Sequence, residues 1–382
     1  MHFAFTEEQA AIRETALAFA RERIAPEAGQ WDEAGYFPVD VIRETAGLGM
    51  ATIYVPAEKG GSGLSRLDGA LIFEALSYGC PAIAAYISIH NMVAWMLSSF
   101  GSGEQVARYM PRLATMELLA AYCLTEPGAG SDAATLATRA RRDGDDYVLD
   151  GAKQFISGAG VADLYFVFAR TGGAGADGIS AFLIEKGTKG LSFGAIERKM
   201  GWNAQPTRAV LFEDCRVPAS ALVGQEGRGF RFAMAGLDGG RINIGACSLG
   251  GAWAALDKAT AYVAERKAFG QPIGALQSVQ FTLADMASDL EAARLMIWRA
   301  ADALDRADPQ ASMYSAMAKR YATDLGFEVC NRALQLHGGY GYLKDYGLEK
   351  LVRDLRVHQI LEGTNEIMRL VVSRRLASGN RG

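Results

Sequence analysis

Apolar residues recur at helical spacing along most of the chain and switch to strand spacing only in its middle. Ile12, Ala16, Phe19 and Ala20 follow Thr6-Glu7-Glu8-Gln9, which fits a capping box, and Pro26 should interrupt the helix they predict. Further helices are predicted over about 38–49, 66–79, 82–100 and 103–115, with Gly/Ser-rich breaks such as 59–63 between them. Met92, Trp95 and Met96 read either as a cofactor-facing stripe or as helix core, and core is the better account. The pattern changes near Leu118. The run 119–125 leads into the loop Glu126-Pro127-Gly128-Ala129-Gly130-Ser131-Asp132. Tyr147-Val148-Leu149, an Asp150-Gly151 turn and Lys153-Gln154-Phe155-Ile156-Ser157 predict a β-hairpin, and strands follow at 164–169, 179–185 and 209–213. From Gly229 helices return, at about 230–266, 277–305 and 309–336, then 346–356 and 365–377. Long helices with Ala, Met and Leu faces predict an up-and-down bundle. The expected fold is multidomain α+β: an N-terminal helical domain over 1–118, a middle β domain over 119–228 and a C-terminal helical bundle over 229–382.

Composition narrows the class. A chain of 382 residues is too long for one ordinary core, and 50% apolar against 21% charged residues excludes a disordered chain. A net charge of -4 gives no reason to expect nucleic acid or an anionic membrane as partner. Five scattered cysteines without a C-x-x-C suit buried thiols in a reducing compartment. No signal peptide and no apolar stretch able to cross a bilayer is apparent, so a cytoplasmic protein without membrane contact is expected.

Several chemistries drop out. Gly173-Ala174-Gly175-Ala176-Asp177-Gly178 satisfies the dinucleotide fingerprint, which needs a helix after it, whereas 179–184 reads as a strand; a hairpin loop is expected instead. His2, His90, His337 and His358 show no ligand spacing, so no metal is expected, and G-x-S-x-G is absent.

What remains centres on Ile360-Leu361-Glu362-Gly363-Thr364-Asn365-Glu366. Thr364 is placed to cap a helix whose Ile367 and Leu370 face inward. An acid among Ile and Leu at the mouth of a helix is poorly solvated, and the raised pKa that follows is what a general base needs; a surface acid beside a turn is the competing account. The loop 125–131 offers hydroxyls and unhindered N–H groups to a ring carbonyl or a phosphate. Arg266-Lys267-Ala268-Phe269-Gly270 offers a guanidinium and a ring suited to pyrophosphate and a stacked base, although Arg266 alone reads equally well as only a helix cap. The stretch 335–342, Gln-Leu-His-Gly-Gly-Tyr-Gly-Tyr, lets backbone approach an anion.

Taken in order, Glu-Pro-Gly-Ala-Gly-Ser-Asp, Phe-Ile-Ser-Gly, Leu-Asp-Gly-Gly-Arg, Arg-Lys-x-Phe-Gly, Gln-x-x-Gly-Gly-x-Gly and Glu-Gly-Thr resemble the acyl-CoA dehydrogenase family from Thr6 to Leu376. Residues 237–241 and 155–160 look most like the branch acting on isobutyryl-CoA, which implies a short, branched acyl thioester as substrate. The resemblance implies a C-terminal four-helix bundle, a homotetramer, one FAD per subunit and an electron-transferring flavoprotein as redox partner. It implies Glu362 as the α-proton base, with Gly363 bringing the backbone against the substrate. It places Thr125, Ser131, Phe155 and Ser157 around the flavin, and Thr364 and Glu366 near the same FAD. Arg266, Phe269, Gln277, Gln335, Gly338 and Gly339 match contacts to a neighbouring subunit's FAD. Ser131, Asp238 and Arg241 match positions near CoA and the thioester. Many relatives have Trp where this chain has Phe155, and some carry the base where it has Gly240, which leaves Glu362 without a competitor. An oxidase passing electrons to oxygen and a flavin-free scaffold are the alternatives.

Overall fold

A computed structural model describes residues 4–379. Its helices are α1 (Glu7–Phe19), α2 (Ala28–Ala34), α3 (Val39–Glu44), α4 (Arg66–Gly79), α5 (Pro81–Phe100), α6 (Gly103–Ala114), α7 (Gly229–Glu265), α8 (Gln277–Asp305), α9 (Ala311–Leu336), α10 (Leu348–Arg356) and α11 (Asn365–Ala377). The strands of the main sheet are β1 (Ala120–Cys123), β2 (Arg139–Asp143), β3 (Asp146–Ser157), β4 (Leu164–Arg170), β5 (Ile179–Glu185), β6 (Leu191–Phe193), β7 (Thr207–Pro218) and β8 (Leu222–Val223). Helices precede and follow a mixed sheet of order β6-β7-β3-β2-β4-β5-β8, with β1 added in parallel to β4.

The capping box at Thr6 forms reciprocally with Gln9, and helical backbone runs out just before Pro26. The fingerprint-like stretch 173–178 joins the antiparallel strands β4 and β5, as a hairpin loop should. The hairpin expected at Asp150-Gly151 is not there. β3 runs unbroken through that pair, which sits instead at an irregularity in the pairing with β7, and Gly151 absorbs it with φ 144°. The tight turn lies one strand earlier, where Gly144 and Asp145 join β2 to β3. Nor is the chain free of apolar stretches long enough to span a bilayer. α5 qualifies by length and hydropathy, but 78% of its most apolar window is buried, and Met92 and Met96 pack inside. It is a core helix.

Close packing around α7 dominates the fold, and glycine makes it possible. At about 1.5 Å per residue this 37-residue helix is roughly 55 Å long. A Cβ at Gly250 would lie 2.0 Å from the Glu74 carbonyl oxygen of α4, and one at Gly245 would lie 2.2 Å from Ile297 Cδ1 of α8. The helices therefore approach through bare backbone.

The sheet is tied to the last helices by buried polar contacts. Trp202, between β6 and β7, donates its N–H to Asp354 Oδ1 (2.6 Å) and its indole N–H to His358 Nε2 (3.2 Å), while Ser248 of α7 bonds His358 Nδ1 (2.6 Å). Lys350 satisfies the other Asp354 oxygen at 2.6 Å. These contacts fix the end of α10, and with it the segment that carries Glu362. His358 is thus consumed by structure, and burial pushes its pKa down to about 3. His90 and His337 are buried and bonded to main-chain oxygens, whereas His2 lies outside the described residues.

Candidate active site

After α10 a short 3₁₀ turn, Val357–Gln359, leads to two consecutive residues in the left-handed region: Glu362 (φ 53°) and Gly363 (φ 95°). Such a conformation costs a non-glycine residue of order 1–3 kcal/mol and persists only where its surroundings hold it. Two cations do the holding. Arg241 Nε of α7 donates to the Glu362 carbonyl (3.3 Å), and Lys319 Nζ of α9 donates to the Gly363 carbonyl (2.8 Å). Thr364 then caps α11 by accepting from the Ile367 N–H at 3.3 Å. The inward face of α11 is Asn365 and Met368, and Leu370, expected to point in, is 40% exposed: α11 meets α9 along a narrow i, i+3 stripe.

This reversal drives the Glu362 side chain into the molecule. Its carboxylate lies against Gly240, where a Cβ would stand 2.3 Å from Oε2. A side chain at 240 and the carboxylate of 362 would claim the same space. Oε2 is fully buried and has no hydrogen-bond partner among the described residues, and the Glu362 N–H makes no bond there either. Burial raises the carboxyl pKa to about 7, and the charges of Lys319 and Arg241 pull against that rise. An acid titrating near neutrality with an unengaged oxygen is equipped to accept a proton from carbon.

The sheet supplies the facing wall. Tyr122 of β1 donates to the Ala233 carbonyl of α7 (3.3 Å); its phenol is raised by burial and then by the Glu362 charge, which places it beside the acid. Three residues on, the Thr125 carbonyl accepts from the Gln154 N–H (2.8 Å), bringing Thr125 together with Phe155 and Ser157. Beneath this loop Lys153 and Glu126 form a buried ion pair of 2.6 Å, and Glu126 also takes the Ala137 and Thr138 N–H groups at 2.5 and 3.0 Å. A break in the β3–β7 register between Lys153 and Ile156 turns Phe155 out of the sheet, with φ 59° and 64% exposure. Gln205 donates to Ser157 Oγ (3.3 Å) and leaves its own Oε1 buried without a partner. An outward aromatic face beside an orphaned acceptor fits a flat, N–H-bearing ring such as a flavin. Ser131 is exposed on the adjoining loop.

Asp238 and Arg241 are bonded to each other (2.7 Å), and Asp238 also accepts from Ser312. Their first task in this fold is to anchor the main chain of Glu362. Glu366 is exposed in the first turn of α11. Arg266, Gln335, Gly338 and Gly339 line a separate cavity of about 400 Å³ with Tyr262 and Tyr340. Phe269 (φ 52°, 91% exposed) and Gln277 lie outside its lining on the surface. Gly240 and the end of α7 at Glu265 are roughly 37 Å apart along the helix, so one chain does not bring these two sets together.

Sequence reasoning passed over Tyr122, Gln205, Asn365 and Lys319. The signal for Lys319 was present: a lysine on the Ala-rich buried face of α9, between Ala316 and Ala322.

A β domain between two helical ones, with a near-neutral acid at their junction, is the arrangement of an oxidoreductase of the acyl-CoA dehydrogenase class. Residues 6–117, 121–215 and 227–377 match the N-terminal, middle and C-terminal domains of acyl-CoA dehydrogenase. The chain belongs to the acyl-CoA dehydrogenase family, oxidoreductases that act on a CH–CH bond with FAD as cofactor. It is 55% identical to mitochondrial isobutyryl-CoA dehydrogenase of Bos taurus over 371 residues, 97% of this chain and 89% of that protein. A chain in the structure of the electron transferring flavoprotein of Acidaminococcus fermentans superposes with TM-score 0.96 at 41% identity, covering 100% of both. The FAD complex of PigA superposes with TM-score 0.95 at 32% identity, again over 100% of both chains.

Proposed function

We propose that the chain desaturates a short, branched acyl-CoA, isobutyryl-CoA first among them, with Glu362 as the base that removes the α-proton. The observation that carries this reading is the buried, unpartnered Oε2 of an acid whose pKa stands near 7. FAD, when bound, supplies an oxidant able to take a hydride from an unactivated carbon. The residues of the chain do the rest. Glu362 accepts the α-proton, and its free N–H donates to the thioester oxygen, an interaction worth about 3–4 kcal/mol once charge develops there. Gly363 leaves the backbone open for that approach, and Asp238 and Arg241 set its position beside the thioester tail. Thr125, Ser131, Phe155 and Ser157 hold the flavin, with Thr364 and Glu366 near the same cofactor.

Arg266, Phe269, Gln277, Gln335, Gly338 and Gly339 serve the FAD of a neighbouring copy, which accounts for two cofactor-binding sets so far apart on one chain and requires at least a dimer; the family resemblance makes the assembly a homotetramer. Electrons leave to an electron-transferring flavoprotein. In domain terms, 1–118 and 229–382 supply the helical walls and 119–228 the flavin-bearing sheet. The test is a panel of acyl-CoA esters with an artificial acceptor and a peroxide assay. Isobutyryl-CoA should give the highest kcat/KM, with acceptor-dependent turnover. Preference for a long straight chain contradicts the substrate reading, and stoichiometric peroxide marks an oxidase.

A further inference from the structure

Lys319 is buried on the face of α9 that packs against α7, beside Ser315, Ala316, Ala322 and Thr323, which are buried too. Among the described residues it forms no ion pair. Its Nζ spends its hydrogen bonds on the Gly363 carbonyl (2.8 Å) and on Asn365 Oδ1 (2.9 Å). Asn365, itself 2% exposed, is oriented by donating to Thr323 Oγ1 (2.9 Å) and Asp324 Oδ1 (2.7 Å). With Arg241 on the Glu362 carbonyl, two cations from two helices grip two successive carbonyls of the left-handed turn.

From this geometry we infer that Lys319 is a positioning residue for the reaction: it locks the Glu362–Gly363 turn through the Gly363 carbonyl and supplies a buried positive charge that the Glu362 carboxylate feels. The inference rests on Glu362 being the base. A lysine that served packing alone is hard to reconcile with the cost of its burial. Deep burial of an ammonium without a carboxylate partner disfavours its charged form, and burial does bring Lys319 down to about 7, with the Glu362 charge the main influence holding it up. The relation is reciprocal, since Lys319 is the leading influence holding Glu362 down. Other groups facing the pair are Arg241, Asp324 and Glu366, with Tyr122 and Cys247 raised by burial and then by the same carboxylate, and His358 lowered by burial and then by the same ammonium. Hydrogen bonds to main chain fix where the base sits, and the charge fixes where it titrates.

Glu362 works ionised, so kcat/KM rises with pH through its pKa. Below about 7 Lys319 carries its charge, which favours the ionised acid. Removing that charge moves the acidic limb of the profile to higher pH. The experiment measures kcat/KM against pH on flavin-loaded wild type, Lys319→Met and Lys319→Arg, with isobutyryl-CoA and an artificial acceptor, after checking flavin content and Tm. Lys319→Met should move the limb up by about one pH unit, a tenfold loss on the acidic side, and Lys319→Arg should restore most of the wild-type position. If Lys319→Met does not hold flavin, Asn365→Asp, which sets a carboxylate where the Nζ bond now ends, should move the limb in the same direction. A uniform loss at every pH with the limb unmoved, or no change at all, overturns the role. Glu362→Gln separates the two readings: if it retains turnover the base assignment itself fails, whereas an inactive Glu362→Gln with an unmoved limb in the lysine variants removes only Lys319.

Discussion

Glu362→Gln keeps the shape of the side chain and removes a charge that the fold accommodates at a cost. The native carboxyl pKa is raised from 4.5 to about 7 by burial, so between those values the folded protein binds a proton that the unfolded chain does not. Stability from this group is therefore greatest below the unfolded pKa and falls as pH rises through the folded one. Above about pH 7 the full penalty applies, about 3 kcal/mol for a shift of this size. Glutamine carries no such penalty. The variant should be the more stable protein at about pH 8 by up to roughly 3 kcal/mol, and the gain should shrink toward zero near pH 4.5. Thermal or denaturant melts of both flavin-loaded proteins at several pH values provide the readout. A variant less stable than wild type at alkaline pH, or a difference independent of pH, would refute the claim that the acid is held against its solvation.

Other expectations follow from single contacts. Gly240→Ala puts a methyl 2.3 Å from Oε2; displacing the carboxylate by about an ångström should cost of order a hundredfold in kcat with flavin retained, measured by steady-state kinetics and the flavin spectrum. Lys153→Met leaves Glu126 charged and buried beneath the flavin-side loop, at a cost of about 3–5 kcal/mol visible in denaturant melts, with weakened flavin retention.

Most helices were evident in the sequence because their apolar spacing coincides with what is buried: 66–79 and 365–377 coincide with α4 and α11. The misread hairpin shows where local signals compete. Within 139–157 Asp-Gly occurs twice, at 143–144 and 150–151, and only the first makes a turn there, because the alternation that should announce β2 is hidden by charge: only Ala140 of that strand is buried. Leu370 looked inward by spacing alone, but the stripe that α9 accepts is one helical turn wide. The acid itself was visible from its apolar neighbours. Its partners were not, since nothing in sequence separation connects Lys319, Arg241 and Gly240 to residue 362; only the packing of α7 against α9 does.

Whether Glu362 removes the substrate's α-proton is decided by single-turnover bleaching of the flavin by isobutyryl-CoA, wild type against Glu362→Gln. Wild type should bleach rapidly, and the flavin-loaded variant should bleach slower by several orders of magnitude. A variant that bleaches at more than about a tenth of the wild-type rate contradicts that role, since loss of a true general base costs at least about a hundredfold.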